Sequence, residues 1–229
     1  MHSYPIFLKL AGQPCLVVGG GQVGERKVDD LRAAGALVTV VSRELTPRLA
    51  DLAAQGKVRY LPDDFNPALV DGMALVLAAT DDAQVNAQVS AAAQARGIWV
   101  NVADAPELCT FIVPAQVRRG DLTLAISTGG ASPALARKLR QDLQRQFGPE
   151  YIPYLALLKE IRERLLIERR GHPGNAELFR RLVDGRLQEA MAQGDRARAV
   201  RVLKDILGDA LDGPVLGELA AQAFKEAWG

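Results

Sequence analysis

Cys15-Leu16-Val17-Val18-Gly19-Gly20-Gly21-Gln22-Val23-Gly24-Glu25-Arg26-Lys27 is the stretch whose reading decides the fold. An apolar run ends in three consecutive glycines, a fourth follows at Gly24, and the spacing then turns helical. The pattern predicts a buried strand, a tight turn and the N-terminus of a helix. In such a unit Gly19 allows the turn, Gly21 lets the backbone approach a pyrophosphate, and Gly24 lets helix and strand pack closely. Free N–H groups and the positive end of the helix dipole attract the diphosphate. Gly-x-Gly-x-x-Gly alone is a weak signal, and a purely structural glycine turn competes with it. The strand before and the helix after supply the context the motif requires. No Gly-Lys-Ser/Thr follows the glycines, which argues against a triphosphate loop and for a dinucleotide site.

Working outward, Tyr4-Pro5-Ile6-Phe7-Leu8-Lys9-Leu10 reads as a short extended segment, with Gly12-Gln13-Pro14 as its turn. A helix from Gln22 to Ala34 places Val23, Val28, Leu31 and Ala34 on one face, and Gly35 ends it. Further strands are expected at 37–41, 58–61, 74–79 and 98–102, with helices at 45–55 and 83–95. Apolar strands without alternation, separated by helices, mean a parallel sheet covered on both faces. The expected fold is therefore α/β, a Rossmann-type doubly wound parallel sheet, ending near residue 113.

Beyond it the pattern changes. Phe111-Ile112-Val113-Pro114 leads through Arg118-Arg119-Gly120-Asp121 to Leu122-Thr123-Leu124-Ala125-Ile126-Ser127, a spacing that fits two strands joined by a turn. A helix follows from about Ala134 to Phe147, with Ser132 as N-cap and Pro133 at its first position. From Tyr151 onward the chain reads as helical, with breaks near 171–174, at Gly194 and at 212–214. The expected layout is a dinucleotide domain over 1–113, a small α/β linking or dimerising segment over 114–148, and a helical C-terminal domain over 149–229.

The bulk composition narrows the function classes. With 229 residues, 48% hydrophobic and 24% charged, the chain has the make-up of an ordinary globular protein. A formal net charge of +1 gives no reason to expect nucleic acid or a membrane surface as partner. Two cysteines, Cys15 and Cys109, argue against a disulfide framework or metal cluster and for a reducing cytoplasm. Residues 1–10 lack a signal-peptide pattern, and no apolar run reaches the ~18 residues of a membrane span.

Candidate chemistry gathers at the ends of the strands. The residue that meets the adenosine ribose is expected about 20 positions after the glycines. That place holds Ser42-Arg43-Glu44: Glu44 suits the ribose hydroxyls of NAD, Arg43 the phosphate of NADP, and the residues leave the choice open. Thr80-Asp81-Asp82 closes the fourth strand at the same edge, where Asp82 reads as the cap of the next helix. Asn101-Val102-Ala103-Asp104-Ala105-Pro106 closes the fifth. Asp104 could face the nicotinamide end as a general base, or could simply set the turn before Pro106. The Gly129-Gly130 turn and its capped helix repeat the anion-site logic. Around them Arg118, Arg119, Arg137, Lys138, Arg140 and Arg145 outnumber Asp121 and Asp142, which suits a polycarboxylate, with a solvated helix face as the competing account. His2 and His172 are the only histidines and do not suggest a resident metal.

Together, Tyr4-Pro5-Ile6-Phe7, the 17–27 glycine stretch, Ala78-Ala79-Thr80-Asp81-Asp82, Asn101 to Pro106 and Ser127-Thr128-Gly129-Gly130-Ala131-Ser132-Pro133 resemble the precorrin-2 dehydrogenase/sirohydrochlorin ferrochelatase module of siroheme synthases. The resemblance covers about residues 3–145 and thins out across the C-terminal helices. The chain lacks the length for the methyltransferase domain that some members carry, so the stand-alone form is expected. The resemblance implies NAD-dependent oxidation of precorrin-2 to sirohydrochlorin and insertion of ferrous iron, a substrate here, to give siroheme. It also implies a homodimer formed by the segment after the nucleotide domain. Gly19, Gly21, Gln22, Val23, Gly24, Arg43, Glu44 and Thr80 are then the cofactor positions, Asp104 is the catalytic carboxylate, and Asn101, Thr128, Gly129, Gly130, Ser132 and Arg137 meet the tetrapyrrole. Thr128 stands where the family often has serine, which puts any role of a serine hydroxyl there in doubt. Gly24 stands where many relatives have alanine, which the fingerprint is expected to tolerate. A dehydrogenase without chelatase activity and a non-catalytic NAD(H)-sensing module are the rival readings.

Overall fold

The computed structural model describes residues 3–228. They form two compact units, one ending at Val113 and the other beginning at Pro114.

In the first unit, β1 (Pro14–Val18), α1 (Gln22–Ala33), β2 (Leu37–Val41), α2 (Pro47–Ala54), β3 (Arg59–Leu61), β4 (Leu75–Ala78), α3 (Ala83–Gln94) and β5 (Trp99–Val102) follow in order. The five strands are all parallel, in the order β3-β2-β1-β4-β5. The unbroken apolar runs serve two layers at once, because successive side chains along a strand point to opposite faces. Cys15 and Val17 of β1 join Val38, Val40, Leu75 and Leu77 against Val28 and Leu31 of α1 and Leu49 and Leu52 of α2. Leu16 and Val18 join Val76, Ala78, Val100 and Val102 against Val89, Ala92 and Ala93 of α3. The parallel sheet with helices on both faces is the Rossmann-type architecture that the sequence predicts.

Local chemistry explains where the boundaries differ from expectation. The second helix begins at Pro47, two residues later than expected, because Thr46 Oγ1 accepts a 3.2 Å hydrogen bond from the Leu49 N–H and caps it. The loop containing Pro62 and Pro67 holds a 3₁₀ turn at Pro67–Val70, capped by Asn66. The segment from Tyr4 to Leu10 forms no strand, and Tyr4 and Phe7 are exposed.

The second unit opens with an antiparallel hairpin, β6 (Ala115–Arg119) and β7 (Leu122–Ile126), in which Val117 faces Leu124. Gly120, at φ +56°, makes its turn. α4 (Pro133–Gln146) packs on both strands. Arg119 donates from Nε to the Phe147 carbonyl at 2.9 Å and from Nη2 to that of Gln144 at 3.0 Å, placing a cation at the negative end of α4. α5 (Tyr151–Glu168), α6 (Asn175–Leu182), α7 (Arg186–Ala192), α8 (Arg196–Leu207) and α9 (Gly213–Trp228) enclose their own core around Leu157, Ile161, Leu165, Leu187, Leu203 and Leu216. One break was not expected. Gly185, at φ +103°, ends the run after α6, and Asp184 Oδ1 accepts from the Arg186 N–H at 3.1 Å to start α7. Among the described residues no helix is long and apolar enough to cross a membrane, and no three His, Cys, Asp or Glu side chains form a metal-holding group.

Candidate active site

The glycine turn is fixed by backbone packing. Gly19 has φ +113°, and a Cβ there would collide with the Ala79 carbonyl. A Cβ on Gly24 would collide with the Gly19 carbonyl, so α1 lies against the turn at a distance only glycine permits. The tolerance of alanine expected at position 24 therefore does not hold for this backbone: alanine requires the turn to shift. A Cβ on Gly20 would meet the Glu44 carbonyl and the Leu45 side chain. Three backbone hydrogen bonds pin the turn to its neighbours. The Gly19 N–H donates to the Val41 carbonyl at 2.9 Å, that of Ala79 to Val18 at 2.8 Å, and that of Thr46 to Gly20 at 3.0 Å. Gly21 differs. It caps α1 with no side-chain hydrogen bond, and a Cβ there would meet only open space.

That open space is a cleft of about 380 Å³, lined by Gly20, Gly21, Gln22, Val23, Ser42, Ala79, Thr80 and Asp81. It lies at the carboxyl ends of β1, β2 and β4, where the strand order reverses between β1 and β4, the place at which such sheets bind ligands. The first N–H groups of α1 have no partner within the helix and face a site built for an anion. A floor of bare backbone at Gly20 and Gly21, packed so closely that a Cβ on Gly19, Gly20 or Gly24 would clash, fits the pyrophosphate of a dinucleotide. Of the expected cofactor positions, Gly21, Gln22, Val23 and Thr80 line the cleft, while Gly19 and Gly24 shape it from behind. Gly20 and Ala79 were not singled out from sequence. The triple glycine carried the signal for the first, and only the strand pairing reveals the second.

The other expected positions divide by what their side chains already hold. Arg43 makes a two-pronged ion pair with Asp64, at 2.6 and 2.7 Å, on the surface after β2. The hydrogen bond from Arg43 holds the Asp64 carboxyl below its usual range. Glu44 is exposed beside it. Thr80 Oγ1 donates within the turn to Asn86 Oδ1 and the Asp82 carbonyl, and Asp82 Oδ1 caps α3 by accepting from the Gln84 N–H at 2.8 Å. On the other side of the glycine turn, Thr46 Oγ1 donates to Glu25 Oε2 at 2.5 Å and Arg48 pairs with Asp29, tying α2 to α1.

Asp104 stands in the turn after β5, exposed, at φ +57°. It alone among the described non-glycine residues has a left-handed backbone, a conformation aspartate tolerates better than most but which still costs about 1 kcal/mol. Its carboxylate forms no ion pair or hydrogen bond among the described residues. The turn is held from below by Cys109 Sγ, which accepts from the Val102 N–H at 3.1 Å and lies 3.3 Å from the carbonyls of Val102 and Ala105. Asn101 Nδ2 donates to the Phe111 carbonyl at 3.0 Å and to Cys109 Sγ at 3.4 Å, so its amide braces the same loop. Cys15, by contrast, is sealed in the core, where burial pushes its thiol up to about 11.

The remaining candidates lie in the second unit. Gly129 and Gly130 adopt φ +62° and +84° ahead of α4. Thr128 Oγ1 accepts from the Ser132 N–H at 3.2 Å, and Ser132 Oγ accepts from the Leu135 N–H at 3.2 Å to cap the helix. Of the six basic residues, Arg119 holds backbone carbonyls, Lys138 and Arg145 pair with Asp142, and Arg140 reaches Gln144. Arg118 and Arg137 are exposed, and their side chains have no partner among the described residues.

Comparison with known proteins follows the same division. Residues 6–115 match the family described as putative NAD(P)-binding, and residues 119–146 match that described as sirohaem biosynthesis protein, central. The first unit is thus an NAD(P)-binding domain of Rossmann type. The chain is 46% identical over 209 residues to the siroheme synthase of Methylobacillus flagellatus, covering 90% of this chain and 44% of that protein. It is 38% identical to the siroheme synthase of Methylococcus capsulatus, covering 100% and 46%. The solved structure of SirC, precorrin-2 dehydrogenase, superposes with a TM-score of 0.73 at 28% identity, covering 88% of this chain and all of that one. The chain is similar to these siroheme synthases over most of its own length and spans less than half the length of the curated relatives it matches.

Proposed function

We propose that this chain oxidises precorrin-2 to sirohydrochlorin with NAD and inserts ferrous iron to give siroheme, in the cytoplasm. The observation that carries the reading is Asp104. A free carboxylate is held on strained backbone at the carboxyl edge of β5, beside the edge at which the dinucleotide cleft opens. Functional strain of this kind persists where the surrounding structure enforces it, and Cys109 and Asn101 supply that enforcement. The N-terminus of α1, Gly21, Gln22 and Val23 would hold the diphosphate of NAD, with Glu44 toward the ribose because Arg43 is engaged by Asp64. When bound, NAD supplies the hydride acceptor. Asp104 then takes the proton that leaves the macrocycle as the hydride departs, and accepts pyrrole N–H protons when iron enters.

The tetrapyrrole carries many carboxylates. Arg118 and Arg137, whose side chains hold no partner among the described residues, and the N-terminus of α4 behind Thr128, Gly129, Gly130 and Ser132 suit them. A homodimer through residues 114–148 is supported by α4, which buries no residue within the chain and leaves Leu135 and Leu139 exposed.

The test is an anaerobic absorbance time course with enzymatically generated precorrin-2 and NAD, followed by ferrous iron. Sirohydrochlorin should appear with NAD, and its spectrum should shift to that of siroheme faster than in an enzyme-free control. Oxidation without faster metal entry would leave a dehydrogenase alone. No NAD-dependent change would overturn the reading in favour of nucleotide sensing without chemistry.

A further inference from the structure

The loop after β2 is held from two sides. On one side it lies against the glycine turn: Ser42 lines the cleft, and a Cβ on Gly20 would strike the Glu44 carbonyl and crowd the Ser42 side chain. On the other side β3 holds it. The half-buried Tyr60 donates from its hydroxyl to the Ser42 carbonyl at 3.0 Å and lies 3.3 Å from that of Arg43. The Ser42 N–H donates to the Leu61 carbonyl at 3.3 Å. These bonds fix the backbone from which the Arg43 side chain starts, one residue from the wall of the cleft.

From that start the guanidinium turns to the loop after β3. Its Nε and Nη2 meet the two oxygens of Asp64 at 2.6 and 2.7 Å, so one whole edge of the planar fork is taken. Two-pronged contact along such an edge is how arginine takes a phosphate. Asp63 does not compete for the fork, because its Oδ1 accepts from the Asp64 N–H at 2.8 Å and shapes the turn. Arg43 and Asp64 are both exposed, where an ion pair adds little to folding. In a dinucleotide fold, an arginine near the end of the second strand accommodates the 2′-phosphate of NADP, and a carboxylate there meets the ribose hydroxyls of NAD. Glu44 is exposed beside Arg43, and its carboxylate holds no partner among the described residues.

We infer that Asp64 is a specificity residue for the cofactor: by engaging the Arg43 fork it withholds the cation that a 2′-phosphate needs and sets a carboxylate in the phosphate's place, so that the site takes NAD over NADP. The inference rests on the dinucleotide reading of the cleft above. Asp64 acts through Arg43, from the loop after β3, and takes no part in the chemistry. A phosphate that displaced Asp64 from the fork would leave that carboxylate unpaired beside a dianion, and the repulsion between them opposes the exchange.

The test is equilibrium binding of NADH and NADPH to the whole chain, followed by the fluorescence of the reduced nicotinamide. The unmodified protein should bind NADH at least ~10-fold more tightly than NADPH. Asp64→Ala should raise NADPH affinity about tenfold and narrow that ratio, and Asp64→Asn, which keeps the side-chain volume, should move it the same way. Asp64→Glu, which keeps a carboxylate for the fork, should stay within about twofold of wild type. Adding Arg43→Ala to Asp64→Ala should remove most of the gain, because the freed fork is its source. A gain in binding cannot come from a variant that fails to fold. Wild-type NADPH affinity in Asp64→Ala, a gain undiminished by the loss of Arg43, or an unmodified protein that prefers NADPH would each overturn the inference. If the unmodified protein binds neither nucleotide, the dinucleotide reading itself fails. If it binds NADH and Asp64→Ala changes nothing, only the inference falls.

Discussion

Two glycine turns lead into two helices, one in each unit, and they are glycine for different reasons. At Gly19, Gly20 and Gly24 a Cβ would strike backbone or packed side chain, so the residue is dictated by the closeness of strand, turn and helix. At Gly130 a Cβ would meet nothing within 4 Å, and only the backbone angle, φ +84°, calls for glycine. The first turn is a packing joint whose free face, at Gly21, is left bare for a ligand. The second is a conformational joint whose polar side chains, Thr128 and Ser132, close on their own backbone. The lesson is that a glycine motif carries two separable instructions, how near two elements lie and which way the chain turns. Only the first builds a cradle.

The sharpest way to break this contrast is Gly19→Val. A β-branched residue at φ +113° facing the Ala79 carbonyl should cost more than about 3 kcal/mol and prevent the first unit from folding, as read by thermal unfolding. Near-wild-type stability would show that the joint is not fixed by packing. Gly21→Asp should leave the melting temperature almost unchanged and yet weaken NAD binding at least ~100-fold, about 3 kcal/mol, by blocking the cradle and repelling the diphosphate. Unaltered affinity in a calorimetric titration would remove the cleft from cofactor binding. Gly130→Ala should cost only about 1–2 kcal/mol, from the left-handed backbone alone. A loss as large as that of Gly19→Val would erase the distinction.

A smaller effect separates the units by pH. Tyr154 is buried in the helical core, where its hydroxyl donates to the Leu182 carbonyl at 3.1 Å and burial pushes it up to about 12 from an ordinary 10.0. A group whose proton is held more tightly in the folded state stabilises fully below its unfolded value and loses that contribution as pH rises. Melting of the second unit should therefore weaken between about pH 10 and 12, and Tyr154→Phe should flatten that slope. An identical slope in the variant would assign the alkaline loss to other groups.

How much of this could be read from the chain depended on whether the cause was local. The Cys15–Val18 run, the triple glycine and Ser132-Pro133 state their structure within a few residues, so β1, the turn, α1 and the start of α4 were legible. Thr46 moved the start of α2 because its cap outweighed the apolar periodicity around Leu45. Gly185 was passed over because the apolar spacing continues across it. At the site, the backbone cradle was legible while the state of the side chains was not. That Arg43 is engaged by Asp64 and that Cys109 braces the Asp104 turn are facts of tertiary pairing across 21 and 7 residues, and that the Arg118 and Arg137 side chains find no partner among the described residues is equally a matter of tertiary structure. The left-handed backbone at Asp104 is likewise invisible in sequence, since aspartate before Ala-Pro also suits ordinary turns.

In the proposed reaction Asp104 performs the proton transfer and the glycine cradle holds the cofactor, each without the other's help. The most direct measurement is the anaerobic oxidation of precorrin-2 by Asp104→Asn, with NAD affinity determined on the same preparation. NAD binding should be unchanged and the rate of sirohydrochlorin formation reduced at least ~100-fold. Wild-type oxidation by the variant would contradict it.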